Sequence, residues 1–123
     1  MKCIPDTSVW VDHFRGLDTL LSSDPTLAMR RLLHPFVYGE LLLGGLPLGG
    51  DVRKQLDHLI RAPVAEPVEV AAFIEWAELA GTGIGYVDAH LLVTARMIDA
   101  KILTSDKRLL VQAKRFGIAL VAG

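Results

Sequence analysis

The chain has 123 residues, of which 51% are hydrophobic and 22% are charged, and its formal net charge is −1. This length fits one domain, so we predict a single domain over residues 1–123. The apolar content excludes an intrinsically disordered chain. The near-neutral charge excludes a nucleic-acid binder that works through bulk positive charge, although not a nuclease whose metal ion holds phosphate.

Cysteine content and the N-terminus predict where the protein is found. Cys3 is the only cysteine, so neither an intramolecular disulfide nor a cysteine-based zinc site can form. A free thiol suits the cytosol, and the first residues lack the apolar core of a signal peptide. We therefore predict a cytoplasmic protein without a membrane partner. The mean hydropathy of +0.38 favours a dimer or another protein interface.

The first half of the chain alternates strand and helix signals. Pro35 suits the first position of a helix, and Gly16 is a typical helix stop. Pro5 is unusual for a strand residue because proline cannot donate to a sheet. The predicted elements are a strand over 2–6, a helix capped by Thr7 or Ser8 and ending at Phe14, a short helix over 17–23, a strand in the second half of 27–34, a helix over 35–43 and a helix over 51–61.

The second half continues this alternation. Apolar residues at 87, 91, 95 and 98 predict an amphipathic helix. The predicted elements are a strand over 63–66, a helix over 67–80, a glycine-rich loop over 81–85, a helix over 86–100, a strand over 101–104, a helix from Ser105 or Asp106 to Phe116 and a strand over 118–121. This order predicts an α/β protein, a three-layer α/β/α sandwich with a short, mostly parallel sheet.

Four acidic residues lie in apolar or glycine-rich surroundings. They are Asp6 in CIPDTSVW, Glu40 in PFVYGELLLG, Asp88 in GIGYVDAHLL and Asp106 in ILTSDKRL. Each lies near the carboxyl end of a predicted strand or near the start of a predicted helix. Those ends share one side of a parallel sheet, so we expect the four carboxylates to meet there.

Carboxylates gathered in one place need a neutralising partner. Helix N-termini favour a nearby carboxylate by only about 0.3–1 kcal/mol each, which is too little for four like charges. Mg²⁺ and Mn²⁺ prefer such oxygen ligands, so we predict one or two of these ions at the site. Bound there, such ions activate water and polarise a phosphodiester, and no protein nucleophile is needed.

These four segments, in this order, resemble the PIN-domain ribonucleases, and in particular the VapC-type toxins of prokaryotic toxin–antitoxin pairs. The resemblance covers essentially the whole chain; Pro5 departs from it, because the family usually has an aliphatic residue there. It implies a Mg²⁺- or Mn²⁺-dependent endoribonuclease whose catalytic and metal-binding residues are Asp6, Glu40, Asp88 and Asp106. It also implies an RNA substrate, a homodimer and a cognate antitoxin that covers the site.

Several neighbours of the acids are candidates for supporting roles. The hydroxyls of Thr7, Thr104 and Ser105 are placed to orient a carboxylate, although helix capping is an equally good explanation. Lys107 and Arg108 adjoin Asp106 and are the basic residues best placed to contact RNA phosphates.

Other polar and apolar residues have simpler explanations. His90 lies about 200° from Asp88 around a helix, so we expect it to face elsewhere. His13, His34 and His58 lack ligand spacing and are predicted to lie at the surface or an interface. An apolar surface for a partner is predicted from the following residues: Phe14, Leu17, Leu20, Leu21 and the stretch 41–48.

Two alternatives to the ribonuclease remain open on sequence alone. The first is a PIN-like module that binds RNA or protein without catalysis, which an intact set of four acids disfavours. The second is a receiver-type signalling domain, which also combines an α/β fold with an acidic pocket and Mg²⁺. Receivers usually carry adjacent acids after the first strand, whereas Asp6 is followed by Thr7 and Ser8.

Overall fold

The protein is represented by a computed structural model that describes residues 1–17, 21, 30–44 and 50–120. Within these ranges the chain forms four strands and six helices. In order they are β1 (Lys2–Pro5), α1 (Thr7–Phe14), β2 (Arg30–Leu33), α2 (Pro35–Leu43), α3 (Gly50–Asp57), β3 (Ile60–Arg61), α4 (Pro67–Trp76), α5 (Tyr86–Ile98), β4 (Ala100–Leu103) and α6 (Lys107–Arg115).

The strands form one parallel sheet in the order β3-β2-β1-β4, and helices flank it. Strand β1 is central, and its register with β4 runs from Lys2 opposite Ala100 to Pro5 opposite Leu103. The predicted three-layer α/β/α fold is therefore confirmed. Because all four strands point the same way, their carboxyl ends lie along one edge of the sheet.

Pro5 is accommodated at the end of the central strand. The backbone N–H of Asp6 donates to the carbonyl of Leu103 at 2.9 Å, so the nitrogen of Pro5, one residue earlier, faces β2 instead. On that side the paired register ends at Cys3 opposite Arg31. The missing donor of Pro5 thus falls beyond the last β1–β2 pair, where it removes no bond of the paired register.

The core is built on both faces of the sheet, as a parallel sheet requires. Helix α5 is buried through seven consecutive residues, 89–95, which exceeds the single apolar stripe predicted from sequence. It packs against β4 and β1 and against α4. Since Asp88 immediately precedes this buried segment, its position is set by one of the best-packed elements of the protein.

Several predicted boundaries differ from the observed ones. The predicted helix over 51–61 ends at Asp57, because the next residues pair with Leu32 and Leu33 as edge strand β3. Residues 63–66 accordingly form no strand. The helix predicted over 67–80 ends at Trp76, where Glu78 takes a left-handed φ of 54°. Tertiary pairing and turn geometry override the local periodicity in these places.

Other predictions hold or lie outside the described ranges. Helix α2 has the predicted bounds, and α1 ends before Gly16, whose φ of +77° closes the helix. The predicted strand over 118–121 is reduced to a single bridge between Ala119 and Ile102 within the described residues. The predicted helix over 17–23 lies almost entirely outside them. In the described ranges no helix has the length and apolar character needed to span a membrane.

Replacement of Ile102 by alanine tests how strongly strand β4 holds the fold together. Ile102 is fully buried in the strand that leads to Asp106, so Ile102→Ala should lower the free energy of unfolding by about 2–5 kcal/mol. Urea denaturation followed by circular dichroism measures this loss. Val111→Ala, at a side chain that is 61% exposed, is the matched control and should change stability by less than about 0.5 kcal/mol. Equal losses for both variants would contradict the assigned core.

Candidate functional site

Three of the four candidate acids lie at the start of a helix, and the fourth lies in a second helical turn. Asp6 and Asp106 are the N-cap residues of α1 and α6, each directly or closely following a strand of the central pair. Asp88 lies in the first turn of α5, and Glu40 lies in the second turn of α2. The carboxyl ends of the parallel strands and the starts of the helices that follow lie along one edge of the sheet, so the backbone brings these elements together.

Asp6 is the anchor of the arrangement. It is 5% exposed, and its Oδ1 accepts hydrogen bonds from the Val9 amide at 3.1 Å and from the Ser8 hydroxyl at 2.6 Å. Its Oδ2 accepts a short hydrogen bond from the hydroxyl of Thr104. The helix cap is therefore Asp6 itself, and the prediction that Thr7 or Ser8 caps α1 is wrong. An aspartate ending a strand is well placed for this bond to the third amide of the helix.

Hydroxyl groups connect Asp6 to two of the other acids. The Thr104 hydroxyl that donates to Asp6 also accepts from the backbone N–H of Asp106 at 2.9 Å. Thr7, next to Asp6 in the chain, donates to Oε1 of Glu40 at 2.6 Å. Asp6, Glu40 and Asp106 thus belong to one connected region, although they are up to a hundred positions apart in sequence.

Ser105 and Ser8 add a further link across the same region. The Ser105 hydroxyl lies 3.0 Å from the Ser8 hydroxyl, which in turn donates to Asp6. Ser8 was considered only as a helix cap in the sequence, yet it is a direct partner of the buried carboxylate. Its position two residues after an aspartate is typical of a local side-chain turn, and this was the available signal.

Asp88 approaches the other three acids from α5. Its Oδ2 accepts a hydrogen bond from the backbone N–H of Gly85 at 3.3 Å. Burial raises the pKa of the Asp88 carboxyl, the Gly85 bond partly offsets this, and the charges of Asp6, Asp106 and Glu40 raise it further. The carboxyl of Asp88 is therefore close enough to the other three acids for their charges to act on it.

The pKa of Asp6 is raised as well, and burial is the main cause. The hydrogen bonds from Ser8, Thr104 and Val9 act in the opposite direction, because they stabilise the ionised form. The negative charge of Asp106 adds to the increase. The carboxylate forms of Asp6 and Asp88 are therefore less stable in the folded protein than in water.

The composition of this region fits a hard divalent cation. It offers carboxylate and hydroxyl oxygens, and within the described ranges no positive charge compensates the buried Asp6 or the half-buried Asp88. Among the described residues, however, no three His, Cys, Asp or Glu side chains already converge as an ion's ligand set. Glu40 and Asp106 are exposed to solvent, and each already accepts hydrogen bonds, Glu40 from the Thr7 hydroxyl and Asp106 from the amides of Arg108 and Leu109.

The basic and histidine candidates are distributed differently. Lys107 and Arg108 are exposed in the first turn of α6, beside Asp106. The prediction that His34 lies at the surface is wrong: it is fully buried, and its Nδ1 accepts from the Phe36 amide at 3.0 Å. Burial and the nearby His90 lower the pKa of His34 to about 4, so it is a neutral helix cap.

His90 does not join the acids. It is buried, and its ring packs edge-on against Phe36 and Tyr86, with centroid distances of 4.6 and 4.7 Å. The expectation that it faces away from Asp88 agrees with these contacts. The histidine therefore supports the packing of α5 against α2, the two helices that carry Asp88 and Glu40.

A separate cavity of about 580 Å³ lies on another side of α1. Side chains of α1, β2 and α3 line it together with the residues that follow α3, and none of the four acids contributes. The lining residues are Trp10, His13, Phe14, Arg31, Asp51, Lys54, Gln55, His58 and Leu59. Cavity size alone therefore does not locate the acidic site, which is an open edge of the sheet.

Comparison with known proteins gives two findings. The family model described as the PIN domain matches residues 3–115. The chain is also 36% identical over 120 residues to Ribonuclease VapC32 of Mycobacterium tuberculosis, from strain CDC 1551 / Oshkosh and from strain ATCC 25618 / H37Rv. In both cases the match covers 94% of this chain and 93% of the relative.

Replacement of Asp88 by asparagine tests the electrostatic strain in this site. A raised pKa means that ionisation of Asp88 costs stability, so this cost is absent below the unfolded pKa of about 3.9 and appears as pH rises through the folded pKa. At pH 7 in EDTA, Asp88→Asn should raise the melting temperature by roughly 2–5 °C. Differential scanning calorimetry from pH 3 to pH 8 should show the difference vanishing at the acid end.

Glu75→Gln is the control for this measurement. Glu75 is an exposed acid on α4, outside the acidic region, so its neutralisation should leave the melting temperature nearly unchanged. Asparagine keeps an oxygen that accepts from Gly85, so the comparison isolates the charge. A wild type as stable as Asp88→Asn at pH 7 would argue against a cost of ionising Asp88, whether from burial or from the neighbouring acids.

Proposed function

Because the chain belongs to the PIN-domain family and resembles its VapC-type ribonucleases, we propose that it is a metal-dependent endoribonuclease, the toxin of a toxin–antitoxin pair. The observation that carries the proposal is the hydrogen bonding through Thr104 and Thr7 that connects Asp6 with Asp106 and Glu40, together with the action of these three charges on Asp88. The similarity to a curated ribonuclease over nearly the whole chain supports the same activity. The PIN match over residues 3–115 favours the ribonuclease over the receiver-type alternative.

In this proposal the four acids hold one or two Mg²⁺ or Mn²⁺ ions. The bound ions supply activation of water, polarisation of the phosphodiester and stabilisation of the leaving oxygen. Asp6 is the fixed member, because three hydrogen bonds and its burial restrict its side chain. Glu40 and Asp106 are exposed and offer the carboxylate oxygens that Thr7 and the cap of α6 do not use, while Asp88 is oriented by the Gly85 amide.

The hydroxyl residues keep the acids in productive orientations. Thr104 holds one oxygen of Asp6 and the backbone of Asp106 together, so it sets the relative position of two proposed ligands. Thr7 performs a similar role for Glu40. Ser105 contributes through Ser8, at one remove from Asp6. Such partners of ligating groups typically contribute 10–100-fold to metal affinity or activity.

RNA is the proposed substrate, and Lys107 and Arg108 are its proposed phosphate contacts. The near-neutral net charge means that binding depends on local groups beside the acids and on the metal ion. The cytoplasm is the proposed location of the protein.

A cognate antitoxin is the proposed regulator, and α2 supplies its contact. This helix carries Glu40 and ends in Leu42 and Leu43, which are 45% and 89% exposed. A partner that covers these leucines would also cover a proposed metal ligand, which accounts for inhibition. Leu17 is exposed as predicted, whereas Leu21 is buried in the core, and Leu20 and residues 45–48 lie outside the described ranges.

A homodimer is the second proposed assembly. Large apolar side chains on α4 and α5 are exposed, with Trp76 at 66% and Met97 at 49%. Their burial against a second copy would remove apolar surface that a small monomer ordinarily does not leave in water. Trp10, by contrast, belongs to the core.

Replacement of Asp6 by asparagine tests the proposed activity. Asp6→Asn removes the charge of the best-anchored ligand but keeps an oxygen for the Val9 amide, so the fold should persist while cleavage falls at least about 100-fold. Purified protein, freed of any bound partner, is incubated with total tRNA and rRNA in Mg²⁺ or Mn²⁺. Discrete fragments should appear for the wild type and disappear in EDTA.

Asp12→Asn is the matched control on the same helix. Asp12 follows Asp6 along α1 and is not among the four acids, so this variant should cleave at the wild-type rate. An Asp6→Asn variant with full activity would refute the role of Asp6. A folded, metal-saturated wild type that cuts no RNA would refute the ribonuclease and favour a binding module.

A further inference from the structure

The glycine-rich loop before α5 contains two glycines with similar backbones and different surroundings. Gly81 and Gly83 have left-handed φ values of +82° and +86°. A Cβ placed on Gly81 would meet nothing within 4 Å. A Cβ placed on Gly83 would lie 2.8 Å from Cδ and 3.0 Å from Nε of Arg108. The side chain of Arg108 therefore lies directly on the backbone of Gly83, in space that any other residue would fill.

The guanidinium of Arg108 has no charged partner in the described part of the protein. The Arg108 amide donates to Oδ1 of Asp106 at 2.8 Å, as part of the cap of α6. The side chain itself forms neither a hydrogen bond nor an ion pair with any residue in the described ranges. This is unexpected for a cation two positions from Asp106, and it leaves the guanidinium donors available to an external anion.

The position of this free cation is set by two of the elements that carry the acids. Arg108 belongs to the first turn of α6, whose cap is Asp106. Gly83 lies two residues before Gly85, whose amide binds Asp88. The contact between Arg108 and Gly83 thus joins the start of α6 to the loop that leads into α5, beside the acidic edge of the sheet.

We propose that Arg108 binds an RNA phosphate next to the acidic site, and that the missing side chain at Gly83 is the feature that holds Arg108 in position. The guanidinium presents a planar fork of donors that matches phosphate oxygens. Contact of its stem with the loop restricts its rotamers before RNA arrives, which reduces the entropy lost on binding. This inference rests on the proposed function, which already includes the phosphate contact of Arg108, and adds to it the positioning role of Gly83.

The test compares five variants in an RNA-binding measurement that needs no cleavage. They are Arg108→Ala, Gly83→Ala, the double variant Gly83→Ala/Arg108→Ala and two controls, Gly81→Ala and Lys114→Ala. Affinity for a fluorescently labelled tRNA is measured by anisotropy at several salt concentrations, with Ca²⁺ replacing Mg²⁺. Gly81→Ala is the matched control, because it introduces the same backbone strain without touching Arg108. Lys114→Ala controls for loss of one positive charge elsewhere on α6.

Arg108→Ala should weaken binding about tenfold or more, the effect expected for one charge-assisted hydrogen-bonded contact. It should also reduce the slope of log K against log salt by roughly 0.7–0.9, as for one phosphate contact. Gly83→Ala should produce a similar loss, and Gly81→Ala and Lys114→Ala should stay within about twofold of wild type. The double variant should bind no more weakly than Arg108→Ala, because both changes remove the same contact.

Several results would overturn the inference. If Gly83→Ala binds RNA as well as Gly81→Ala, Gly83 does not position Arg108. The same follows if the losses of binding free energy from Gly83→Ala and Arg108→Ala add in the double variant. Wild-type affinity and salt slope for Arg108→Ala would refute the phosphate contact. Arg108 is exposed and tolerates truncation, so this result can be obtained even if Gly83→Ala does not fold. A wild type that cleaves RNA under such a result would leave the proposed function intact. A wild type that neither binds nor cleaves RNA would refute both.

Discussion

Repulsion among four carboxylates is the constraint on which the rest of the site depends. A parallel sheet places the carboxyl ends of its strands on one edge, and the helices that follow begin there. Asp6, Asp88 and Asp106 are each within the first turn or cap of such a helix, so the fold concentrates negative charge. Helix N-termini compensate by only about 0.3–1 kcal/mol each. Burial, with a smaller contribution from this repulsion, raises the pKa of Asp6 and of Asp88.

The protein limits this cost with hydroxyls and backbone amides rather than with cations. Asp6 is surrounded by Ser8, Thr104 and the Val9 amide, all of which donate to it. Described lysine and arginine side chains form no ion pair with any of the four acids. Neutral donors stabilise the anions without occupying the place of a metal ion, so the region keeps its capacity for one. Likewise, the guanidinium of Arg108 is not paired with an acid in the described residues, so it remains available to the proposed RNA phosphate.

Much of the architecture was predictable because its signals are local. Pro35 and the apolar residues after it predicted α2 with its observed bounds, and the glycine loop before Asp88 was also found. Edge strand β3 was missed because its two residues acquire their conformation only by pairing with β2. A short run after a helix looks like a continuation of that helix until its partner is known.

The sequence identified the candidate acids of the site but not the contacts between its residues. The four acids stood out by their surroundings and their order. The Thr104–Asp6 hydrogen bond, which joins positions 98 residues apart, has no local signature. Similarly, nothing in a glycine-rich loop identifies which glycine lies under Arg108, since Gly81 and Gly83 have the same backbone conformation. Such contacts depend on how β4, α5 and α6 pack together.

The central claim is that four separate elements contribute to one cation site, and paramagnetic broadening by Mn²⁺ tests it most directly. Substoichiometric Mn²⁺ is added to ¹⁵N-labelled protein, and amide signals are followed by NMR. The account predicts that amides around Asp6, Glu40, Asp88 and Asp106 broaden together, before those near exposed acids such as Glu69 on α4. Broadening confined to one of the four elements, or spread evenly over all exposed acids, would contradict a shared site.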